Sequence, residues 1–477
     1  MQFDSRFAKA EITLEEREIE TASGFVRARA PGGWPNARVE AFGDLEQTAR
    51  RLAGGDADLE AELLGTIALG LAAPGQTVAD AGLVVDIEAI EFGQALDAHL
   101  GAHRGREAAI AAAYGLAAKL TAVIDAFDRC EGDAEACADP RKNAALARAA
   151  RAAREAGAPD NLIAQAIALA HAGERAWTAV EPIMAPAPWL IAIGARDLVE
   201  AGSRPASRAA FAGWESGRAA LTFDAADADA ALRTLSAPRA ALDVRGFFKA
   251  DGDDIHGFIA AVRLWTAALD GQASGDYRPL ALTLGGLGDH LVARGLGYDS
   301  PEGRAEAAAL MALAAGAALG ASAELAEAHG VYAEFAGERD AKIAALQRRL
   351  AETKRLPASP IQAAAVQTLD AALKAVRKHG LRNSELLALY DDAELTLRLG
   401  ARLGAAPWGG PLTVAETFDG ETFVTLSAAA ARAIRHLGLD FEEASARALG
   451  WRTLAEAPGL DHAALRARGF TDHELAI

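Results

Sequence analysis

Hydrophobic and polar residues alternate along the 477-residue chain with two different periods. Near the start, Ile12–Ile19 and Phe25–Ala30 follow a period of two, which predicts strands. Pro31-Gly32-Gly33 predicts a turn before a third extended stretch, Ala37–Phe42. From Asp44 the spacing becomes helical. Leu45, Leu52, Leu59, Leu63 and Leu64 fall on one side with charges opposite, and Asp44 suits the N-cap. Pro74-Gly75 ends this run, and Leu83-Val84-Val85-Asp86-Ile87 predicts one short buried strand. A helix is expected over Glu88–Phe127, then a polar loop over Asp128–Lys142. The helix pair Asn143–Ala156 and Asn161–His171 follows, with Pro159-Asp160 as start signal.

Trp189–Ile193 and Leu221–Phe223 predict short strands, and Asp254–Asp270 an amphipathic helix with Ile255, Ile259, Val262 and Trp265 on one face. Ala307–His329 predicts a long alanine-dominated helix stopped by Gly330. Arg355–Pro360, with two prolines, is the candidate linker. Beyond it lie a helix over 361–379, strand-like Leu386–Tyr390, a strand pair at Leu412–Val414 and Phe423–Leu426, and closing helices from Ala428. Helices dominate, with short strands between them.

Composition sharpens this picture. Hydrophobic residues make up 51% but aromatics only 6%, so small side chains favour closely packed helices. The balance of 48 basic against 66 acidic residues, a net charge of −18, argues against nucleic acid as a partner, because no basic excess exists to displace counterions. Two cysteines form no disulfide scaffold, which fits a reducing compartment. The first residues lack an apolar signal-peptide region. Charges bracket Ala305–Ala323, so no uninterrupted, strongly apolar stretch is expected to reach membrane-spanning length. The expectation is a soluble, cytoplasmic protein with no membrane partner.

Residues with chemical potential are sparse. Cys130 and Cys137 flank an acidic loop without a histidine, so metal ligation is not expected there. A redox pair remains open on spacing alone, but acidic neighbours raise a thiol's pKa, and the expectation is two dispensable loop cysteines. Asp251, Asp253, Asp254 and His256 lack the ligand series of a calcium loop, and helix capping explains them better. Leu284-Gly285-Gly286-Leu287-Gly288-Asp289 is glycine-rich without fitting a dinucleotide fingerprint, and its glycines suit close helix approach. His290, His436 and His462 are scattered among apolar positions. No hydrolase, zinc-protease or phosphate-loop motif is present, so no catalytic and no metal-binding residue is assigned, and cofactor-binding residues stay undefined.

Ala261–Asp270 (AVRLWTAALD), Arg278–Leu310 (RPLALTLGGLGDHLVARGLGYDSPEGRAEAAAL), Ser322–Gly330, His379–Glu385 (HGLRNSE) and Leu449–Ala476 together resemble the large subunit of ribonucleotide reductase, in its adenosylcobalamin-dependent, class II form. Gly82–Phe92 and Asn143–Gly173 echo it more weakly, in the same order. The resemblance implies a helix-dominated α/β fold, a reduced remnant of the family's ten-stranded α/β barrel with surrounding helices. Segments are expected at 1–43 (β), 44–140 (helical, one barrel-type strand), 141–354 (reductase-like core), 355–380 (linker and helix) and 381–477 (C-terminal reductase-like α/β).

The departures fall on the chemistry. The resemblance implies a radical-bearing cysteine within Asn-x-Cys-x-Glu between Phe223 and His256, where this sequence has no cysteine. It implies two further reducing cysteines, which Cys130 and Cys137 do not match. Where the family has its phosphate loop Pro-Thr-Gly-Thr-Ile, this chain has Tyr390-Asp391-Asp392-Ala393-Glu394-Leu395, whose carboxylates repel a diphosphate. The resemblance also implies a glycine-rich segment before Val84, which this sequence does not show, and a cysteine-bearing tail beyond Ile477.

The expectation is a catalytically inactive relative with a binding, regulatory or scaffolding role, its partner a full-length reductase, another protein or a nucleotide. The alternative is a structural subunit of a larger assembly or homo-oligomer, with Trp34, Trp189, Trp214 and Trp408 as candidate anchors. A second alternative is a ribonucleotide reductase proper. No cofactor is expected unless the family activity survives, in which case it is adenosylcobalamin.

Overall fold

The computed structural model describes residues 6–21, 24–76, 82–180, 182, 184–249, 252–416, 422–450, 454, 455, 457 and 459–476. It divides into two compact units, Met1–Val78 with Ser236–Ile477, and Ala79–Leu235. Segment boundaries at 43, 140, 354 and 380 follow the chain linearly, whereas the first unit is assembled from two stretches distant in sequence.

In the first unit, Leu14–Thr21 pairs antiparallel with Gly24–Pro31, and Ile19 and Ala30 turn inward. The stretch expected to be extended at Ala37–Phe42 is helical instead: Asn36–Glu40 forms one turn and Phe42–Ala53 follows. Pro35 sets the entry with φ −65°, and its carbonyl accepts from the amides of Arg38 and Val39. Val39 and Phe42, three apart, both reach the core, a helical spacing that a period of two misreads. Asp44 is not the cap. Ala41 holds that position and Asp44 lies in the first turn, where its charge still suits the helix dipole.

The centre of this unit is a three-stranded sheet. Ala281–Gly285 runs parallel to Arg239–Asp243, which pairs antiparallel with Ala72–Pro74. Ala281–Gly285 is buried along its whole length, as expected of a strand covered on both faces. The strand expected at Leu386–Tyr390 shrinks to one bridge, Leu282 to Leu387, because only Leu386 and Ala388 hydrogen-bond Leu282. Helices Ala57–Ala68, Ile255–Asp270, Pro301–His329 and Pro360–His379 surround the sheet. Trp265 is completely buried, and its indole N–H donates to Thr66 Oγ1 at 3.1 Å. Where Pro301–His329 meets Pro360–His379, a Cβ on Gly316 would lie 2.9 Å from the Leu369 nitrogen. The small residues let the two backbones approach this closely. The segment read as a linker, Arg355–Pro360, joins Phe335–Thr353 to Pro360–His379, which pack against each other.

In the second unit, Gly82–Asp86, Trp189–Ile193 and Ala219–Thr222 form a parallel sheet. Phe92, Leu96 and Leu100 of helix Phe92–Asp128 pack with Ala206, Ala209 and Ala212 of helix Arg204–Ser216 and with Leu190 and Ala192 of the sheet. The far end of the 37-residue helix packs its Leu120, Val123 and Ile124 against the hairpin Ala144–Glu155 and Asp160–His171.

The fold is therefore a helix-dominated α/β structure. Among the described residues the strands form separate sheets of two or three, and no closed barrel appears. One expectation fails: Phe92–Asp128 and Pro301–His329 are both long and apolar enough, by length and composition, to cross a membrane. Alanine supplies much of that apolarity. In Pro301–His329, 72% of the most apolar window is buried inside its unit, and in Phe92–Asp128, 22%.

Candidate functional site

A polar cavity of about 420 Å³ opens in the first unit between strand ends and helices. Pro74 and Gly75 leave the strand Ala72–Pro74 beside Pro238 and Arg239, which enter the strand Arg239–Asp243. Gly75 is required there, because a Cβ would sit 2.7 Å from Arg239 Cγ. Phe42–Ala53 contributes Asp44, Gln47, Thr48 and Arg51, and the short helix Ala393–Leu399 contributes Arg398.

Arg398 is only 5% exposed. Its Nη2 pairs with Glu394 and lies 3.9 Å from Asp44 Oδ2, while its Nε has no hydrogen-bond partner. Glu394 Oε1 also accepts from Gln76 Nε2 at 3.0 Å. Arg51 Nη2 donates to Thr48 Oγ1 at 2.8 Å, and Arg239 lies 5.3 Å from the ring of Tyr390. Three guanidiniums thus face two carboxylates, with glutamine amides at the rim. This set can hold a polar ligand bearing an anionic group, and the volume suits a molecule of nucleotide size.

The stretch Tyr390–Leu395 supplies no lining residue, and its Tyr390, Asp392 and Glu394 are already engaged. Asp392 caps helix Ala393–Leu399 through the Leu395 amide at 2.9 Å, and Glu394 is tied to Arg398 and Gln76. Tyr390 donates to the Ala281 carbonyl at 3.0 Å, and burial pushes its hydroxyl well above the usual phenol range. The N-terminus of this short helix is occupied by the protein's own carboxylate.

At the carboxyl ends of the parallel strands, where open α/β sheets usually bind ligands, a side-chain cluster fills the space. Arg245 meets Asp243 two-pronged, at 2.9 Å from Nε and 2.7 Å from Nη2. It also reaches Asp289 Oδ2 and the Gly400 carbonyl at 2.7 Å each. Burial opposes the Arg245 charge, yet the paired carboxylates outweigh it and raise its pKa. Gly286, at φ +74°, admits this cluster, since a Cβ would lie 2.6 Å from Asp243 Oδ1. A Cβ on Gly288 would sit 3.0 Å from the Trp408 nitrogen. The glycines make room for side chains and backbone, not for phosphate.

The HGLRNSE stretch is scaffold. Asn383, fully buried, donates to Asp270 Oδ1 at 2.8 Å and to the Arg278 carbonyl at 3.1 Å, and accepts from Ser322. Arg278 completes the pairing with Asp270 at 3.1 Å.

The remaining candidates do not converge. Asp251 lies outside the described residues. Asp254 caps Ile255–Asp270 through the Gly257 amide, Asp253 pairs with Arg294, and His256 is exposed. His290 is buried, with Nε2 3.1 Å from Glu306 Oε1. His436 lies exposed, and His462 opens the helix His462–Ala467. Among the described residues no three His, Cys, Asp or Glu side chains come together as a metal site would need. Of the tryptophans, Trp34 is buried under Arg38, whose guanidinium lies 3.6 Å from the ring, Trp189 and Trp408 are half-buried, and Trp214 is 81% exposed.

Cys130 and Cys137, expected as independent loop thiols, are joined in a disulfide in the second unit. The one-turn helix Ala134–Ala138, capped by Asp133, folds Cys137 back so that the Cα atoms stand 5.6 Å apart.

Sequence reasoning missed Arg51, Arg239, Arg245 and Arg398. The proline before Arg239 and the glycine at 75 were the available signals, since together they mark a strand end approached closely by another chain segment.

Residues 263–466, within the first unit, match the model of the ribonucleotide reductase barrel domain. The chain is similar to the ribonucleotide reductases over this stretch and beyond it. A vitamin B12-dependent ribonucleotide reductase of Agrobacterium fabrum (strain C58) is 26% identical over 450 aligned residues, covering 76% of this chain and 35% of the relative. One from Bradyrhizobium diazoefficiens is 24% identical over 454, covering 75% and 36%. One from Streptomyces coelicolor is 26% identical over 239, covering 45% and 25%. The chain spans about a third of the length of the first two reductases.

The Arg51–Arg239–Arg398 cavity, at about 420 Å³, is smaller than a corrin macrocycle with its appended nucleotide.

Proposed function

We propose that this chain is a ribonucleotide reductase relative that binds and regulates rather than reduces, holding a nucleotide-sized anion in the Arg51–Arg239–Arg398 cavity. One observation carries the reading: the chain's two cysteines are joined to each other in the second unit. Reduction of a ribonucleotide by the chemistry the resemblance implies requires a radical-bearing thiol and a substrate dithiol, and the first unit supplies neither. The loss of a site removes a function even where the fold persists. This reading places the chain in the cytoplasm, with a full-length reductase as the protein partner to seek by co-purification.

The test is thermal unfolding against nucleoside diphosphates, deoxynucleoside triphosphates and adenosylcobalamin. A ligand at 100 times its Kd stabilises the native state by about 2.7 kcal/mol. A nucleotide response is expected, weakened in Arg51→Ala, without deoxynucleotide production. Turnover of a ribonucleotide with adenosylcobalamin would overturn the inactive reading. Silence toward every nucleotide would overturn the binding one.

A second reading, a subunit of a larger assembly, rests on Phe211 and Trp214. Both are exposed, with ring centroids 5.8 Å apart, on the helix Arg204–Ser216. Light scattering should then show an oligomer that Trp214→Ser dissociates. A monomer in the wild type excludes a homo-oligomer.

A further inference from the structure

In the Ala79–Leu235 unit the disulfide stands at a junction of three elements. Helix Phe92–Asp128 ends there, and the Cys130 amide donates to the Phe127 carbonyl at 3.0 Å. The one-turn helix Ala134–Ala138 carries Cys137. The hairpin helix Ala144–Glu155 begins at the buried Asn143. Asn143 links all three. Its Nδ2 donates to the Ala126 carbonyl at 2.9 Å and to the Cys137 carbonyl at 3.1 Å, while its Oδ1 accepts from the Ala145 and Leu146 amides at 3.1 and 3.0 Å.

A crosslink spanning seven residues restricts the unfolded chain less than a long-range one would, and its position gives it a local role as well. A single helical turn is too short to hold itself, and beyond the Asp133 cap the disulfide is what fixes Cys137, whose carbonyl orients Asn143. Cys130 is half-exposed and Cys137 only 3% exposed, so a reductant reaches the Cys130 sulfur first.

We propose that Cys130–Cys137 is a reversible thiol–disulfide site that latches the Ala144–His171 hairpin to the end of the long helix, with a dithiol as its reductant. A thiolate of the dithiol attacks Cys130 Sγ, the S–S bond breaks, and its electron pair leaves on Cys137 Sγ, which takes a proton from water. The second thiol of the dithiol then attacks the mixed disulfide, loses its proton to solvent, and departs with the first as a cyclic disulfide. Cys130 is released as a thiolate and protonated. Two electrons and two protons pass to the protein, and Asn143 loses its fixed acceptor at Cys137. An oxidised dithiol reverses the sequence.

The experiment treats the folded full chain with dithiothreitol and counts maleimide-reactive thiols by mass, with hydrogen exchange followed in parallel. Two thiols should appear, exchange over 126–146 should accelerate about tenfold while Pro301–His329 stays unchanged, and oxidised dithiothreitol should reverse both. Cys130→Ser/Cys137→Ser should exchange like the reduced chain with or without reductant. In Asn143→Ala, reduction should still yield two thiols but leave the exchange of Ala144–Leu146 unaltered. Thiols that appear only on unfolding, or that appear without a local change in exchange, would overturn the proposal. So would a chain whose free thiols oxidised dithiothreitol cannot join.

Discussion

The unit formed by Met1–Val78 and Ser236–Ile477 completely buries Trp265, Tyr332, Phe247 and Phe258. The two core clusters of the Ala79–Leu235 unit hold one buried aromatic, Phe92, among leucine, isoleucine, valine and alanine. The first unit also has the buried Asp270–Arg278–Asn383 network, whereas the second relies on caps, the Asn143 junction and a crosslink. The barrel-domain match lies within the first. The family-model match thus coincides with the larger core and its buried polar ties.

The largest effect should come from Trp265→Ala, which removes the biggest buried side chain and its bond to Thr66. A loss of about 3–5 kcal/mol, read by urea unfolding, is expected in the first unit. A loss below about 1 kcal/mol would mean that this core is loosely packed. Gly316→Val should cost about 1–3 kcal/mol or more by forcing the two helices apart, whereas the same change at the open Gly115 of the second unit should cost less. Equal costs would erase the distinction between the close-packed and the open helix.

Asn143→Ala should cost about 1–2 kcal/mol, with faster hydrogen exchange confined to the second unit. The smallest effects concern pH. Burial is the main cause holding the His99 pKa below its ordinary value, so the unfolded chain takes up its proton first. The stability His99 contributes is full above about 6.5 and lost as pH falls through that value toward the folded pKa. Burial opposes the charge of Glu306, but the His290 hydrogen bond and Arg294 outweigh it and depress its pKa. Its contribution is full above about 4.5 and lost as pH falls through the lower, folded value. Acid should therefore weaken the second unit before the first, and His99→Gln and Glu306→Gln should each flatten one part of the pH–stability curve.

Local signals carried much of the fold. The helix expected over Asn143–Ala156 runs over Ala144–Glu155 with Asn143 as its cap, and Pro360–His379 runs almost as its spacing foretold. Ala37–Phe42 misled because its four apolar positions in six residues satisfy either period, and only Pro35 distinguishes them. The cysteine spacing hid the disulfide because a one-turn helix brings the two together. The cavity was illegible for another reason: its guanidiniums come from positions 51, 239 and 398, and no local pattern connects them.

The strand Ala72–Pro74 finds its partner only in Arg239–Asp243, roughly 165 residues later. At synthesis rates of about 5–20 residues per second, the ribosome needs about 8–33 s to make what lies between. Throughout that interval the first unit's opening hairpin and helices have no sheet to close on, while the second unit is already emerging whole. The chain's order of assembly is thus the reverse of its order of writing, and the early segment is the one that a chaperone would have to shelter.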